Sequence, residues 1–321
     1  MKVDIFFLIL NLSAIVSCKS SPISETQRQT QDKNELSILS DTSFSNGIYL
    51  VGTNSANPVY EDTLYPFGKT NISPSWKIVQ WASKFNIKDA KPEYRNDTVI
   101  YQNTGKRLSF FKMNKTTLVG LEVVGSKEYT EPRKANESWP HLLLEQSFLN
   151  RIGIAKIQKL NYTIDARLMY DENKMGTQFN SDLHSAQISL YFSIANVNSQ
   201  SSGYEDFFWF GLPLYDYRYK DISEYAAQDL GKDDATKKFI LNVASKELFN
   251  GSLQDKQWIS INKDIYPLLI SAFYKAKGSG FLVGSKMDDL SITSINIGWE
   301  VPGTFDYGIQ LKNFTLKALL K

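Results

Sequence analysis

The chain has 321 residues, and its 36 basic and 34 acidic side chains nearly cancel, leaving a formal net charge of +2. With no basic stripe in that balance, nucleic acid is not a partner the sequence implies. One cysteine in the whole chain excludes an internal disulfide or a thiolate metal site.

The first eighteen residues, MKVDIFFLILNLSAIVSC, place Lys2 before an apolar run from Ile5 to Val16. That run is too short to span a bilayer as a mature helix and reads as a secretory signal, with Asp4 an unusual residue for it. Ile15-Val16-Ser17-Cys18 resembles the lipobox of bacterial lipoproteins. The resemblance implies a lipid on Cys18, a membrane partner through that N-terminal anchor, and a place in the bacterial cell envelope, with the outer membrane as the expected site. A secreted eukaryotic chain of this length would usually carry disulfides, which also favours the bacterial reading.

Residues 19–45 are polar and lack apolar periodicity, and are expected to form a flexible tether. From residue 46 to 321 a single β-sandwich domain is expected. Short runs rich in Val, Ile, Tyr, Phe and Thr (GIYLVG, WKIVQWASKF, DTVIYQ, RLSFFKM, TTLVGLEVVG) are separated by Asn, Gly, Asp and Pro. Many short strands at this spacing point to an all-β sandwich or jelly roll. One helix interrupts them late in the chain, over 262–277. Asn262 or Asp264 would cap it, Ile265, Leu268, Leu269, Ala272, Phe273 and Ala276 would form its apolar stripe, and Gly278 would stop it. A weaker helix is expected over 223–230.

Side chains alternate between the two faces of a strand, so polar faces can be sorted from core faces. In 291–300, Asn296 and Glu300 share a face opposite Ile295, Ile297 and Trp299. In 141–148, His141 and Glu145 alternate with Leu142, Leu144 and Phe148; in 163–170, Asp165 and Arg167 stand opposite Ile164, Ala166 and Leu168. In 204–219, Glu205, Phe207 and Trp209 oppose Phe208, Phe210 and Leu212. Taken singly, each polar face is what a half-solvated sheet displays. Together, carboxylates, amides and open aromatic rings suit sugars, whose C–H faces stack on rings while their hydroxyls need polar partners.

Tyr204-Glu205-Asp206-Phe207-Phe208-Trp209-Phe210-Gly211 resembles the Tyr-Glu-x-x-x-Trp-x-Gly strand of the twelfth family of glycoside hydrolases. Gly298-Trp299-Glu300-Val301-Pro302-Gly303, with one last strand after it, resembles that family's second acidic strand end. The resemblance runs from about Asn161 to the C-terminus. It implies a concanavalin A-like β-jelly roll and a retaining endo-β-glycanase acting on a β-1,4-linked glucan or xyloglucan, without cofactor or metal. Glu205 would be the nucleophile and Glu300 the acid/base, with the two carboxyls roughly 5–5.5 Å apart. Trp209 and Tyr215 would form the stacking platform; Phe207, and from the polar faces sorted above Asn296, Glu145, His141, Asp165 and Arg167, are the further residues expected to meet a polysaccharide or oligosaccharide. Two departures stand out: the family's Asp on the preceding strand is replaced by the run Leu190-Tyr191-Phe192, and Phe207 occupies a position that is typically Met. These departures support an alternative, a jelly-roll lipoprotein that binds polysaccharide without cutting it.

Overall fold

The computed structural model describes residues 34–114, 116–230 and 235–321; the signal segment, Cys18 and most of the expected tether lie outside them. In chain order the strands begin with β1 (Glu35–Ser37), β2 (Ile48–Val51), β3 (Tyr60–Leu64), β4 (Trp76–Val79), β5 (Glu93–Arg95) and β6 (Thr98–Gln102). Then come β7 (Lys106–Lys112), β8 (Thr117–Val124), β9 (His141–Gly153), β10 (Ile157–Asn173), β11 (Gln187–Asn196) and β12 (Phe207–Asp216). The last five are β13 (Tyr225–Gln228), β14 (Phe239–Asn242), β15 (Ile259–Asp264), β16 (Leu290–Glu300) and β17 (Phe305–Leu320). They form two sheets. One has the order β15-β10-β17-β8-β7-β6-β5 with β1 beside β17; the other runs β13-β14-β12-β11-β16-β9-β4-β2-β3. The pairing is antiparallel except for β2 with β4 and β12 with β14. This is the expected all-β sandwich of jelly-roll type.

The core is made of the inner faces of both sheets. Leu142, Leu144, Ile188, Leu190, Phe192, Ile295, Ile297 and Trp299 from one sheet meet Leu108, Phe110, Leu121, Ile164, Leu168 and Ile309 from the other, all essentially inaccessible to water. Alternation fails where a strand bulges, because an extra residue on one strand shifts every later side chain to the other face. A shift in the β16–β9 register between Ile292 and Ser294 turns Ile292 inward and leaves Thr293 half-buried. A second shift, where β11 meets β12 at Ile188–Ser189, carries Tyr215 into the core.

Residues 35–45 belong to the domain and not to the tether. β1 pairs with β17, Ile38, Leu39 and Phe44 are buried, and the Asp41 carboxylate accepts from the backbone N–H groups of Ser45 and Asn46.

The late helix exists but begins later than expected. Short helix α1 (Gly125–Glu128) precedes it, and α2 spans Tyr266–Gly278. Residues 262–264 instead complete β15, where the Asp264 carboxylate takes the N–H groups of Leu160 and Tyr266. The apolar stripe is as expected in Leu269, Ala272, Phe273 and Ala276, which are buried. The weaker helix at 223–230 is absent, since Tyr225–Gln228 forms the edge strand β13. Its neighbour β14 supplies backbone partners that a solvated four-residue helix would lack.

Candidate functional site: a tryptophan-lined groove across the nine-stranded sheet

On the outer face of the nine-stranded sheet, one row of side chains crosses from strand to strand. Tyr49 lies beside Lys77, Lys77 opposite Glu145, Glu145 opposite Asn296, and Asn296 opposite Tyr191. The row continues through Gly211 and Asn242 to Tyr225 at the far edge. Gly211 is required there by close approach. A Cβ at that position would stand 1.8 Å from Asn242 Oδ1 and 2.6 Å from Tyr191 Cε1, so any side chain would displace both. In the glycine's place Asn242 Nδ2 reaches across to donate to Tyr191 Oη at 3.0 Å. Burial pushes the Tyr191 hydroxyl far above the ordinary phenol range, and the Glu300 charge adds to that, so it stays protonated.

The central part of the row is the floor of a groove of about 310 Å³ walled by Trp81, Trp139 and Trp209, with Leu143, Ser294 and Glu300 between them. All three tryptophans are half-buried, each presenting part of a ring to the groove. Trp209 Nε1 donates to Thr236 Oγ1 at 3.1 Å, and the ring meets Phe207 edge-on with centroids 5.3 Å apart. Two buried polar atoms in this region, Trp81 Nε1 and Asn242 Oδ1, have no hydrogen-bond partner among the described residues. Such orphans cost about 1–3 kcal/mol each, and native structures keep few of them.

Glu300 closes one end of the groove. Its Oε2 accepts from Trp139 Nε1 at 3.2 Å and lies 3.6 Å from His141 Nε2. His141 Nδ1 is 2.9 Å from the Trp139 carbonyl. A carbonyl only accepts, so Nδ1 carries a proton and Nε2 is the nitrogen that faces the carboxylate. The Trp139 ring stacks on His141 at 6.1 Å and 20° and lies 4.9 Å from the Arg133 guanidinium. Arg133 is buried and is itself tied down, donating to the Glu137 and Leu183 carbonyls while its own carbonyl is 2.9 Å from His184 Nε2. Because His184 Nδ1 accepts from the Asn180 N–H, its Nε2 is the donor in that contact. The arm from Arg133 to His141 thus holds Trp139 over Glu300 in one orientation.

The groove's two other carboxylates are already engaged. Lys77 Nζ donates to Glu145 Oε1 at 2.9 Å and to Ser147 Oγ at 3.2 Å. Burial works to lower the pKa of Lys77, but the Glu145 carboxylate outweighs it and holds the ammonium charged above its usual range. Asp229 Oδ2 accepts from both the N–H and the hydroxyl of Thr236.

The residues on either side of Trp81 are tied into a network reaching from the other sheet. Lys106, on β7, is 1% exposed, and its Nζ donates to Ser83 Oγ and the Phe85 carbonyl, each at 2.6 Å, and to Gln80 Oε1 at 3.3 Å. Ser83 in turn donates to buried Glu128, which also takes the Lys84 N–H. Burial lowers the Lys106 pKa from 10.5 to about 8, with the Glu128 charge opposing. The folded chain therefore binds fewer protons than the unfolded one between those values, and stability rises with pH there. The parent should gain about 2 kcal/mol between about pH 7 and 9.5 relative to Lys106→Met. Urea denaturation of both proteins at the two pH values checks this; equal gains would clear Lys106 of responsibility.

Most, though not all, of the residues picked out in the sequence meet here. Glu300, Asn296, Glu145, His141 and Trp209 line the groove, and Phe207 sits at its edge against Trp209 and 5.5 Å from Lys238 Nζ. Glu205 is elsewhere. It occupies the turn before β12 with φ +68°, and its N–H donates to the Asn196 carbonyl. Asn196 pairs with Leu290, at the opposite end of β16 from Glu300. At ~3.3 Å per residue that puts the two glutamates roughly 30 Å apart, far outside the ~5–5.5 Å of a retaining pair. The expected nucleophile and acid/base do not form a pair. Asp165 and Arg167 are also elsewhere: they lie on β10 in the other sheet, where they bond Asn313 and Gln310. Tyr215 is 2% exposed and packs in the core against Trp299 and Tyr307, so it offers no platform. Trp81, Trp139 and Tyr191 were not singled out in the sequence. Alternation in Leu190-Tyr191-Phe192 would have found Tyr191, but the two tryptophans sit in connections without periodicity.

The chain matches no family model, and no curated protein matches it. Solved structures similar to it include an endoglucanase from Rhodothermus marinus, at 9% identity and a TM-score of 0.39, covering 73% of this chain and 96% of that one. A family 12 xyloglucanase from Bacillus licheniformis is 11% identical with a TM-score of 0.39, covering 71% and 97%. Endoglucanase 3 of Trichoderma harzianum, from the same family, is 9% identical with a TM-score of 0.38, covering 73% and 98%. The chain is distantly similar to family 12 glycoside hydrolases.

Proposed function

We propose that this protein binds a polysaccharide in the groove, laid across the strands with sugar rings against Trp81, Trp139 and Trp209. The observation that carries the reading is the combination of three half-open indole rings with Asn296, Ser294, Tyr191 and Glu300 along one groove. Apolar ring faces take the C–H surface of a sugar, and amide, hydroxyl and carboxylate groups take its hydroxyls. A β-1,4-linked glucan or xyloglucan is the ligand class proposed. Lipidation at Cys18 and an outer-membrane location in a bacterial envelope are part of the same proposal, and rest on the lipobox-like residues 15–18.

Binding without cleavage is the better-supported form. Glu145, the carboxylate on the neighbouring strand, lies four positions from the partner of Glu300, about 13 Å away along β9, and is neutralised by Lys77. A hydrolase reading is favoured by one feature, the Glu300 carboxylate held by an indole N–H and facing the His141 imidazole, a pairing of the kind used in general acid–base catalysis.

Affinity electrophoresis in gels containing β-glucan, xyloglucan or xylan, run beside a reducing-sugar assay, separates the two. Protein lacking residues 1–18 should be retarded by at least one polymer while releasing no reducing ends. Release of reducing ends that Glu300→Gln abolishes would make the protein a glycanase. Neither retardation nor release on any polymer would sink both readings.

A further inference from the structure

We propose that the outer face of the eight-stranded sheet carries a second glycan site, built on Trp258, that takes a sugar unit bearing a carboxylate. Trp258 is half-buried and precedes β15, whose Ile259 is opposite Ala166 of β10. Its ring is 5.0 Å from the Arg167 guanidinium and 4.3 Å from Lys312 Nζ, so two cations from two different strands converge on one indole. Neither cation has a carboxylate partner among the described residues. Arg167 donates to the neutral Gln310 Oε1 at 2.6 Å. Asp165 is the register partner of Lys312, yet its carboxylate accepts from Asn313 Nδ2 at 2.6 Å instead.

A cation held against an aromatic face in partly open surroundings is only weakly engaged by the ring, which leaves its charge available. An anionic group placed beside the ring would draw charge-assisted hydrogen bonds from both Arg167 and Lys312. The indole offers an apolar wall for the sugar ring, and the Gln310 and Asn313 amides are of the type that takes hydroxyls. Two cations on one ring are too few for a nucleic-acid backbone, which needs an extended stripe. This site lies on the sheet opposite the groove, and the proposal holds whether or not the groove binds glycan.

The test uses polygalacturonate as probe and the Trp209→Ala protein as background, so that the groove contributes little. That protein should be retarded in polygalacturonate gels. Adding Trp258→Ala should weaken the binding at least tenfold, and adding Lys312→Gln, a change at a surface side chain, should weaken it severalfold. Retardation unchanged by both substitutions would overturn the proposal, as would no retardation at all. It would also be overturned if the protein sedimented with vesicles containing anionic lipid in a Trp258-dependent way while ignoring the polymer.

Discussion

Trp299→Ala should cost the domain about 3–5 kcal/mol, the range for truncating a large buried aromatic. Trp299 is 0% exposed and packs against Tyr307 at 5.0 Å and Tyr215 at 5.9 Å. Its Nε1 crosses the sandwich to donate to the Leu121 carbonyl at 2.9 Å. Truncation therefore opens a cavity between the sheets and removes a bond joining them. Against a typical total of about 5–15 kcal/mol, that is a large fraction of what holds the fold together. At about 2–4 °C per kcal/mol for a domain of this order of size, the melting temperature should fall by roughly 6–20 °C. Chemical denaturation measures the loss directly. Trp299→Phe separates the terms, because it keeps most of the volume and gives up the hydrogen bond, worth about 1 kcal/mol net. A loss below about 1 kcal/mol in the alanine variant would mean the site collapses around the gap, contrary to tight packing of the core.

Strand alternation was enough to place Glu300 and Asn296 on one face and Trp299 on the other, and to place His141 and Glu145 alike. All four polar residues are in the groove. What alternation cannot say is which sheet a strand joins. Asp165 and Arg167 have the same local pattern as His141 and Glu145, but β10 pairs with β15 and β17 and so faces the other way. Nor does it reveal register between strands distant in sequence. Glu205 looked like a groove residue because two-residue periodicity was extended through Tyr204–Asp206, where the backbone turns and Glu205 takes a left-handed φ. Bulges are equally silent, since a single added residue at Ile188–Ser189 sends Tyr215 inward. Ile38, Leu39 and Phe44 were hidden by the polar average of the residues around them, though three buried apolar residues suffice to fix a short edge segment. The resemblance to family 12 rested on short motifs, one of which spans this turn, and motif spacing carries no information on where a chain bends.

Trp209→Ala should have the opposite signature to Trp299→Ala, although both remove an indole. Trp209 lies on the groove side of β12, half-buried, with Tyr191 at 6.4 Å and Phe207 at 5.3 Å as its ring neighbours. Its single hydrogen bond goes to Thr236 outside the core, so truncation leaves no buried group unpaired between the sheets. Stability should change by about 1 kcal/mol or less, as for other positions away from the core. Binding should not be spared. An aromatic ring near the centre of a binding surface commonly contributes 2 kcal/mol or more, so affinity for the retarding polysaccharide should fall about 30-fold. Trp209→Phe should recover part of that loss, because a smaller ring still offers a face to the sugar. Affinity electrophoresis paired with thermal denaturation reads both quantities. If Trp209→Ala bound as tightly as the parent while remaining folded, the stacking surface would have to be Trp81 and Trp139 alone, and the ligand would be confined to the end of the groove where Trp139 covers Glu300.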